Sequence, residues 1–206
     1  MSQIENIILI EPAADPVIGW NPLDADGQSP FGVVQELIAI FHHCFWSQSW
    51  GPRLEELLFM TLLALAVAKL TLPEACLFLT RPELRNSVLR LVNIPEVREF
   101  WTSRFERLSP SQRLLVVEPA LNKLSIFTRP PLRYLFGQQK GALDLDRALA
   151  EGRTILAKFP SGELYGNHYV IAALLIAKLK AAVYRRPSHA KPYVVLLDEF
   201  QEIVGW

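Results

Sequence analysis

The spacing of apolar and polar positions changes twice along the chain and divides it into three zones. Residues 1–30 hold a short continuous apolar run, "IILIEP", and then a Pro-, Gly- and Asp-rich stretch, "AADPVIGWNPLDADGQSP". They predict a short buried strand followed by a loop. Residues 31–140 predict a compact all-α unit built from short helices in series. "TLPE" (Thr71 to Glu74), "TRPE" (Thr80 to Glu83) and "NIPE" (Asn93 to Glu96) each set a capping side chain three residues before a glutamate. "SPSQ" (Ser109 to Gln112) repeats the device with glutamine. In such a box the first side chain accepts a first-turn N–H, the acid or amide bonds back, and the proline has no N–H needing a partner. Residues 141–206 change period again. "TILAKF" (Thr154 to Phe159) reads as a buried strand, "HYVIAALLIAKLKAAVYRR" as a long helix, and "YVVLLDEF" as a second apolar strand. Strand, helix and strand with continuous apolar strands imply a βαβ crossover in a parallel sheet covered on both faces.

Composition narrows this picture without changing it. The chain has 206 residues, half of them hydrophobic and a fifth charged, enough for one core or for one domain carrying an insertion. The apolar stretch from Leu57 to Ala68 is well short of the roughly 20 residues of a membrane span, and reads as a buried helix. "MSQIENIILIEP" has neither the basic start nor the long apolar core of a signal peptide, so a cytoplasmic location is expected. Cys44 and Cys76 fit no metal-ligand spacing and read as small apolar residues in a reducing compartment.

Charge is unevenly spread although it sums to zero. Residues 1–80 carry two basic and nine acidic side chains, residues 81–140 eleven and five, and residues 141–206 eight and seven. The basic middle is suited to contact phosphate or an acidic neighbour, or its arginines form the wet faces of helices.

Candidate chemistry gathers at "YVVLLDEF". An apolar strand ending in Asp-Glu is the Walker B arrangement. At the C-terminal end of such a strand Asp198 would hold Mg²⁺ through its waters and Glu199 would orient or deprotonate the attacking water. The alternative is a buried strand that ends in two solvated acids. A complete ATP site also needs G-x-x-x-x-G-K followed by Ser or Thr. Gly137 and Lys140 in "FGQQKGALD", and Gly162 and Gly166 in "PSGELYGNH", do not have that spacing. The chain by itself is therefore not expected to turn over ATP.

Taken in order, several segments resemble the TraD/TraG-type coupling proteins of conjugation and type IV secretion, in the HerA–FtsK group of P-loop ATPases. They are "IILIEPAADPVIGWNPLD" with Asn21, Pro22 and Leu23, Trp50 to Arg53 in "SWGPRLEELLFMTLLAL", and Val97 to Trp101 in "VREFW". The remaining two are "GRTILAKFPSGELYGNHYVIAALLIAKLKAAVYRR" and "YVVLLDEFQEIV" with Phe200 and Gln201. The resemblance implies an α/β fold, a partial P-loop NTPase parallel sheet (RecA-like) with a large all-α insertion domain. Residues 1–30 and 141–206 would belong to the ATPase core and residues 31–140 to the insertion. It implies ATP and Mg²⁺ as cofactors, a hexameric ring around DNA, ATP hydrolysis coupled to translocation, and contacts with secretion or conjugation machinery. Any membrane association would come from segments or partners outside this chain. The insertion would sit at a mouth of the ring, with Arg85, Arg90, Arg98, Arg104, Arg107 and Arg113 as candidates for contact with DNA or cargo. Arg104 and Arg107 lie three apart and share a helix face, or pair structurally with Glu106 or Glu99. The family's Walker A strand and loop, and the strands and arginine finger after Walker B, have no counterpart here. The chain thus reads as the middle of a motor.

The remaining conspicuous residues have structural readings. Trp20, Trp46, Trp50 and Trp101 stand in apolar surroundings and read as core or helix anchors before they read as a base-stacking platform. His42 and His43 would point about 100° apart on a helix, and His168 and His189 lack partners at ligand spacing, so no metal site made by protein ligands alone is expected. Ser47 and Ser161 have no nucleophile elbow and read as cap and loop residues. Two rivals stand beside the motor: a non-catalytic helical interaction module on a degenerate ATPase remnant, and another P-loop ATPase of the AAA or packaging type.

Overall fold

Four residues, Ile7–Ile10, form the first strand, β1, in a computed structural model that describes residues 6–25, 27–45, 50–140, 143–160, 162, 164 and 166–198. Its alternate side chains Ile8 and Ile10 are buried while Ile7 and Leu9 are exposed, the period-2 signature of a strand with one covered face. The loop that follows is pinned to the helical unit. Asn21 is buried: its side-chain amide donates to the Leu70 carbonyl (3.0 Å) and its Oδ1 accepts the Leu23 N–H (3.0 Å). The Trp20 N–H donates to the Leu135 carbonyl at 2.9 Å. Gly19 permits this approach, since a Cβ there would lie 2.2 Å from that same oxygen.

The helical unit begins with α1, Pro30–Phe45, and α2, Pro52–Val67. Leu54, Leu57, Leu58, Thr61, Leu62 and Leu65 bury one face of α2, and Leu63, Ala64 and Ala66 bury much of the other. A helix apolar on nearly all sides is a core element, and α2 packs against α1, α3, α4, α5 and α6. Thr61, its one buried polar side chain, donates back to the Leu57 carbonyl at 2.7 Å. Among the described residues no helix is long and apolar enough to cross a membrane. Around α2 run α3 (Glu74–Thr80), α4 (Pro82–Leu91) and α5 (Pro95–Glu99). The chain then widens into a π-type turn, Phe100–Phe105, and continues into α6 (Pro110–Leu124) and α7 (Leu132–Phe136).

Only one of the four expected capping boxes closes. Ser109 Oγ accepts from the Gln112 N–H and Gln112 Oε1 accepts from the Ser109 N–H. At "TLPE" half a box forms: the Glu74 carboxylate accepts the Thr71 N–H at 2.8 Å and also takes the Thr71 hydroxyl. At "TRPE" and "NIPE" there is none. Proline prefers the first helical position, so the residue directly before it becomes the cap. In "SPSQ" that residue is Ser109. In "TRPE" and "NIPE" it is Arg81 and Ile94, one place too late for the polar residue, and Thr80 instead donates to the Cys76 carbonyl of the preceding helix.

The last part of the chain contains α8 (Leu145–Glu151), β2 (Thr154–Ala157) and α9 (His168–Arg185). Gly152 closes α8 in the left-handed conformation, φ 66°. β2 pairs in parallel with β1, Ile7 opposite Thr154 through Ile10 opposite Ala157. The Lys158 N–H adds one more bond to the Ile10 carbonyl.

Here the expected fold class is corrected. The RecA-like parallel sheet does not form: among the described residues the sheet has two strands, and the molecule is mainly helical. "YVVLL", Tyr193–Leu197, has no regular structure and is largely exposed, with Val194 at 75% and Leu196 at 89%. β2 is mostly exposed too, Leu156 at 56%, so the sheet is covered on one face and not on both. The physical reason is that an apolar run becomes a strand only against a neighbour that takes its N–H and C=O groups. Tyr193 is tethered, its hydroxyl donating to the Arg153 carbonyl at 2.5 Å.

Candidate functional site

The two candidate sites fare differently. Asp198 sits exposed in a turn after the unpaired Tyr193–Leu197 run, and Glu199 lies outside the described residues. A Walker B acid acts from the end of a buried strand, where the sheet fixes its carboxylate. Asp198 has no such strand beneath it. No group of three or more His, Cys, Asp or Glu side chains able to hold a metal gathers among the described residues. The described residues by themselves therefore do not assemble a site for ATP and Mg²⁺.

The six candidate arginines do not form one surface. Arg85 is buried on α4, and its guanidinium works inside the protein. It donates to the Phe78 and Leu79 carbonyls at the end of α3 (3.2 and 3.3 Å) and to Glu106 Oε1 at 2.7 Å. It also lies 5.6 Å from the Trp101 ring centre and 5.0 Å from that of Phe105. Glu106 holds Arg113 as well, at 2.9 Å, and Arg113 donates to the Leu108 and Glu106 carbonyls. Arg85 and Arg113 are thus structural, joining α3, α4, the wide turn and the start of α6. Arg90 is exposed and donates to the Asn86 carbonyl of its own helix, and Arg98 is exposed on α5.

Arg104 and Arg107 do come to one place. Arg104 is held by Glu56 of α2 in a two-pronged ion pair of 2.5 and 2.8 Å, and not by Glu99 or Glu106. That hydrogen bonding raises its pKa further. Its guanidinium lies 5.1 Å from the Phe100 ring centre. Together they line an open cleft of about 980 Å³ where the first turn of α2, the wide turn and the start of α6 meet. Arg53 enters from α2 and Arg107 from the segment before α6, both exposed and with no carboxylate within ion-pair distance among the described residues. Phe105, Leu108, Leu115 and Val116 supply apolar wall, Leu115 being 70% exposed.

The wide turn builds this site. The Glu106 N–H bonds to the Trp101 carbonyl five residues back, one residue more than an α-turn spans. That spacing lets Phe100, Trp101 and Phe105 all turn inward. Trp101 packs edge-on to Phe78 at 4.9 Å. Trp20 packs edge-on to Phe136 at 4.9 Å. Both indoles are fully buried core residues and offer no stacking platform. Trp50 donates to Glu55 at 2.8 Å and lies edge-on to His42; Trp46, Ser47 and Ser161 fall outside the described residues.

Sequence reasoning offered Arg104 and Arg107 either a shared helix face or an ion pair with Glu106 or Glu99, and it missed Arg53, which stands in the quoted "WGPR" segment, and the buried Arg85–Glu106–Arg113 cluster. The signal for the cluster was Glu106 standing alone among arginines beside the aromatic spacing of "FWTSRF". Cys44 and Cys76 are free and half-buried, and burial pushes both thiols up to about 11.

Compared with protein-family models, with curated proteins and with solved structures, the chain matches none.

Proposed function

We propose that this chain is a helical interaction module, the contact-making part of a translocation machine of the conjugative coupling kind, and that it binds an anionic macromolecule without hydrolysing ATP by itself. One observation carries the reading: the cleft on the helical unit brings Arg53 and Arg107, both without an ion-pair partner among the described residues, over a partly apolar wall. Exposed cations without an ion-pair partner set up a field that an anionic partner relieves. The link to coupling proteins rests on the order of the quoted segments. Two of them have defined jobs here: Asn21 to Leu23 pins the loop to α2's C-terminal end, and Trp50 to Arg53 starts α2 and ends in the cleft.

The test is retention on a heparin column across a salt gradient. Arg53→Glu with Arg107→Glu should elute at lower salt than the wild type. Arg129→Glu with Arg133→Glu carries the same change in charge outside the cleft and should shift elution less. Equal shifts for the two variants would overturn the reading. Sustained ATP turnover by the chain alone, abolished by Glu199→Gln, would overturn its non-catalytic half.

A second reading, a piece of the motor's catalytic core, is favoured by the parallel pairing of β1 with β2 across the helical unit and by the apolar run that leads to Asp198. It requires that a P-loop-bearing polypeptide joined to this chain gain ATPase activity and lose it with Glu199→Gln.

A further inference from the structure

We infer that the cleft between α2, the wide turn and α6 takes an acidic amphipathic helix of a partner protein. This inference rests on the cleft being a contact surface, and it names the class of partner.

The charge of the lining selects the sign. It contains three arginines, Arg53, Arg104 and Arg107, against one carboxylate, Glu56, which Arg104 already occupies. Two positive charges are left to be matched. Glu99 lies near enough to Arg104 to act on it electrostatically, and Glu106 is consumed by Arg85 and Arg113. A ligand carrying carboxylates therefore meets Arg53 and Arg107 without displacing an existing ion pair.

The walls select the kind of molecule. Phe100, Phe105, Leu108, Leu115 and Val116 give the cleft an apolar side that phosphate and sugar have no use for. A DNA backbone presents a phosphate at every step and is met by rows of cations, whereas two arginines flanking aromatic and aliphatic groups suit apolar anchors with acids beside them. The open form of the cleft argues against a small molecule. At about 980 Å³ the cleft stands at the top of the roughly 300–1,000 Å³ range of small-ligand pockets, and it lies open to solvent where such pockets enclose their ligand. A helix about 10–12 Å across, laid in the groove with apolar residues at i, i+3, i+4 and i+7, covers Leu115 and sets its acidic flank on the arginines.

The experiment pans a displayed library of helical peptides on the full chain and follows the enriched sequences by fluorescence anisotropy. Enrichment of Leu, Ile or Phe at helical spacing with Asp or Glu beside them is expected. The enriched peptide should bind Arg53→Glu/Arg107→Glu roughly tenfold or more weakly. Changing its acids to Lys should restore binding to that double variant, a rescue that a merely structural effect would not produce. Leu115→Asp should weaken the original peptide as well. Enrichment of basic or neutral peptides, or binding indifferent to the arginine reversals, overturns the inference. A labelled 20-base-pair DNA duplex that binds through Arg53 and Arg107, with no acidic peptide enriched, also overturns it and leaves the contact surface standing. Self-association of the chain lost on the arginine reversals overturns it in favour of a second copy. Binding of none of these probes overturns both the inference and the reading on which it rests.

Discussion

The helical unit and the β1–β2–α9 region are built from equally apolar sequence, yet they end in opposite states. Around α2 the apolar side chains are buried, and Thr61, Asn21 and the two terminal nitrogens of Arg85 make hydrogen bonds, while Arg85 Nε and Trp20 Nε1 are buried without a partner among the described residues. Around β2 the apolar side chains of Ile7, Leu9, Leu156 and Val194 to Leu197 face outward. Local satisfaction accounts for the difference. A helix closes its own backbone hydrogen bonds and needs only packing on its apolar face, whereas a strand needs a second segment before its apolar content counts. Two paired strands of four residues each are marginal on their own, and here they are held by Ile8 and Ile10 on the core and by the surface pair Lys158–Glu11 just past their ends.

If that contrast is right, substitutions should separate the two regions sharply. The largest effect is expected at Trp101, where an alanine should cost about 3–5 kcal/mol in urea unfolding through lost burial against Phe78, Phe100 and Phe105. A loss below about 1 kcal/mol would break the comparison at its strongest point. Next comes Arg85→Met, which keeps the stem but leaves the Phe78 and Leu79 carbonyls without their donor, for a loss of about 1–3 kcal/mol in the same measurement. Ser109→Ala should lower stability by about 1 kcal/mol, and Thr80→Ala by less than about 0.5 kcal/mol, because only the first hydroxyl caps a helix. In the strand region Leu156→Lys and Leu196→Lys should change stability by less than about 0.5 kcal/mol while reducing self-association in light scattering.

The smallest and most specific effect concerns the thiols. With native values near 11, Cys44 and Cys76 keep their protons well above the roughly 8.5 of an unfolded cysteine. A thiol reagent at pH 8 should therefore label the native protein slowly and the urea-unfolded protein fast. Between those two values the unfolded chain binds fewer protons than the native one, so stability declines as pH rises through that window. Native labelling as fast as unfolded labelling at pH 8 would show that these cysteines are not shielded.

What could be read in advance follows the same division. The helical span and the buried character of Leu57 to Ala68 were legible because helix periodicity is a local signal, and the core roles of Trp20 and Trp101 because both stand in apolar surroundings. The irregular, exposed state of "YVVLL" was not, because its apolar residues say only that the segment wants cover and leave unsaid whether a neighbour is present. The arginines failed as a set for a related reason. Arg85 lies between Asn86 and Leu84 like any surface residue, and its burial follows from Glu106, Trp101 and the end of α3 arriving from elsewhere. Arg53 and Arg107, far apart along the chain, become neighbours of one cleft only through the packing of α2 against α6.

The wide turn at Phe100–Phe105 has an evolutionary corollary. It takes up one residue more than the surrounding helix needs, so it behaves as a lodged single-residue insertion. A lineage that lost one residue there would regain a plain helix with little disturbance to the backbone. The chain beyond the turn would keep its facing, because the turn absorbs the extra residue, while side chains within it, Arg104 among them, would be re-aimed against Glu56 and Phe100. A cleft wall that one codon can re-aim is well placed to diverge quickly between relatives while the helices around it stay the same.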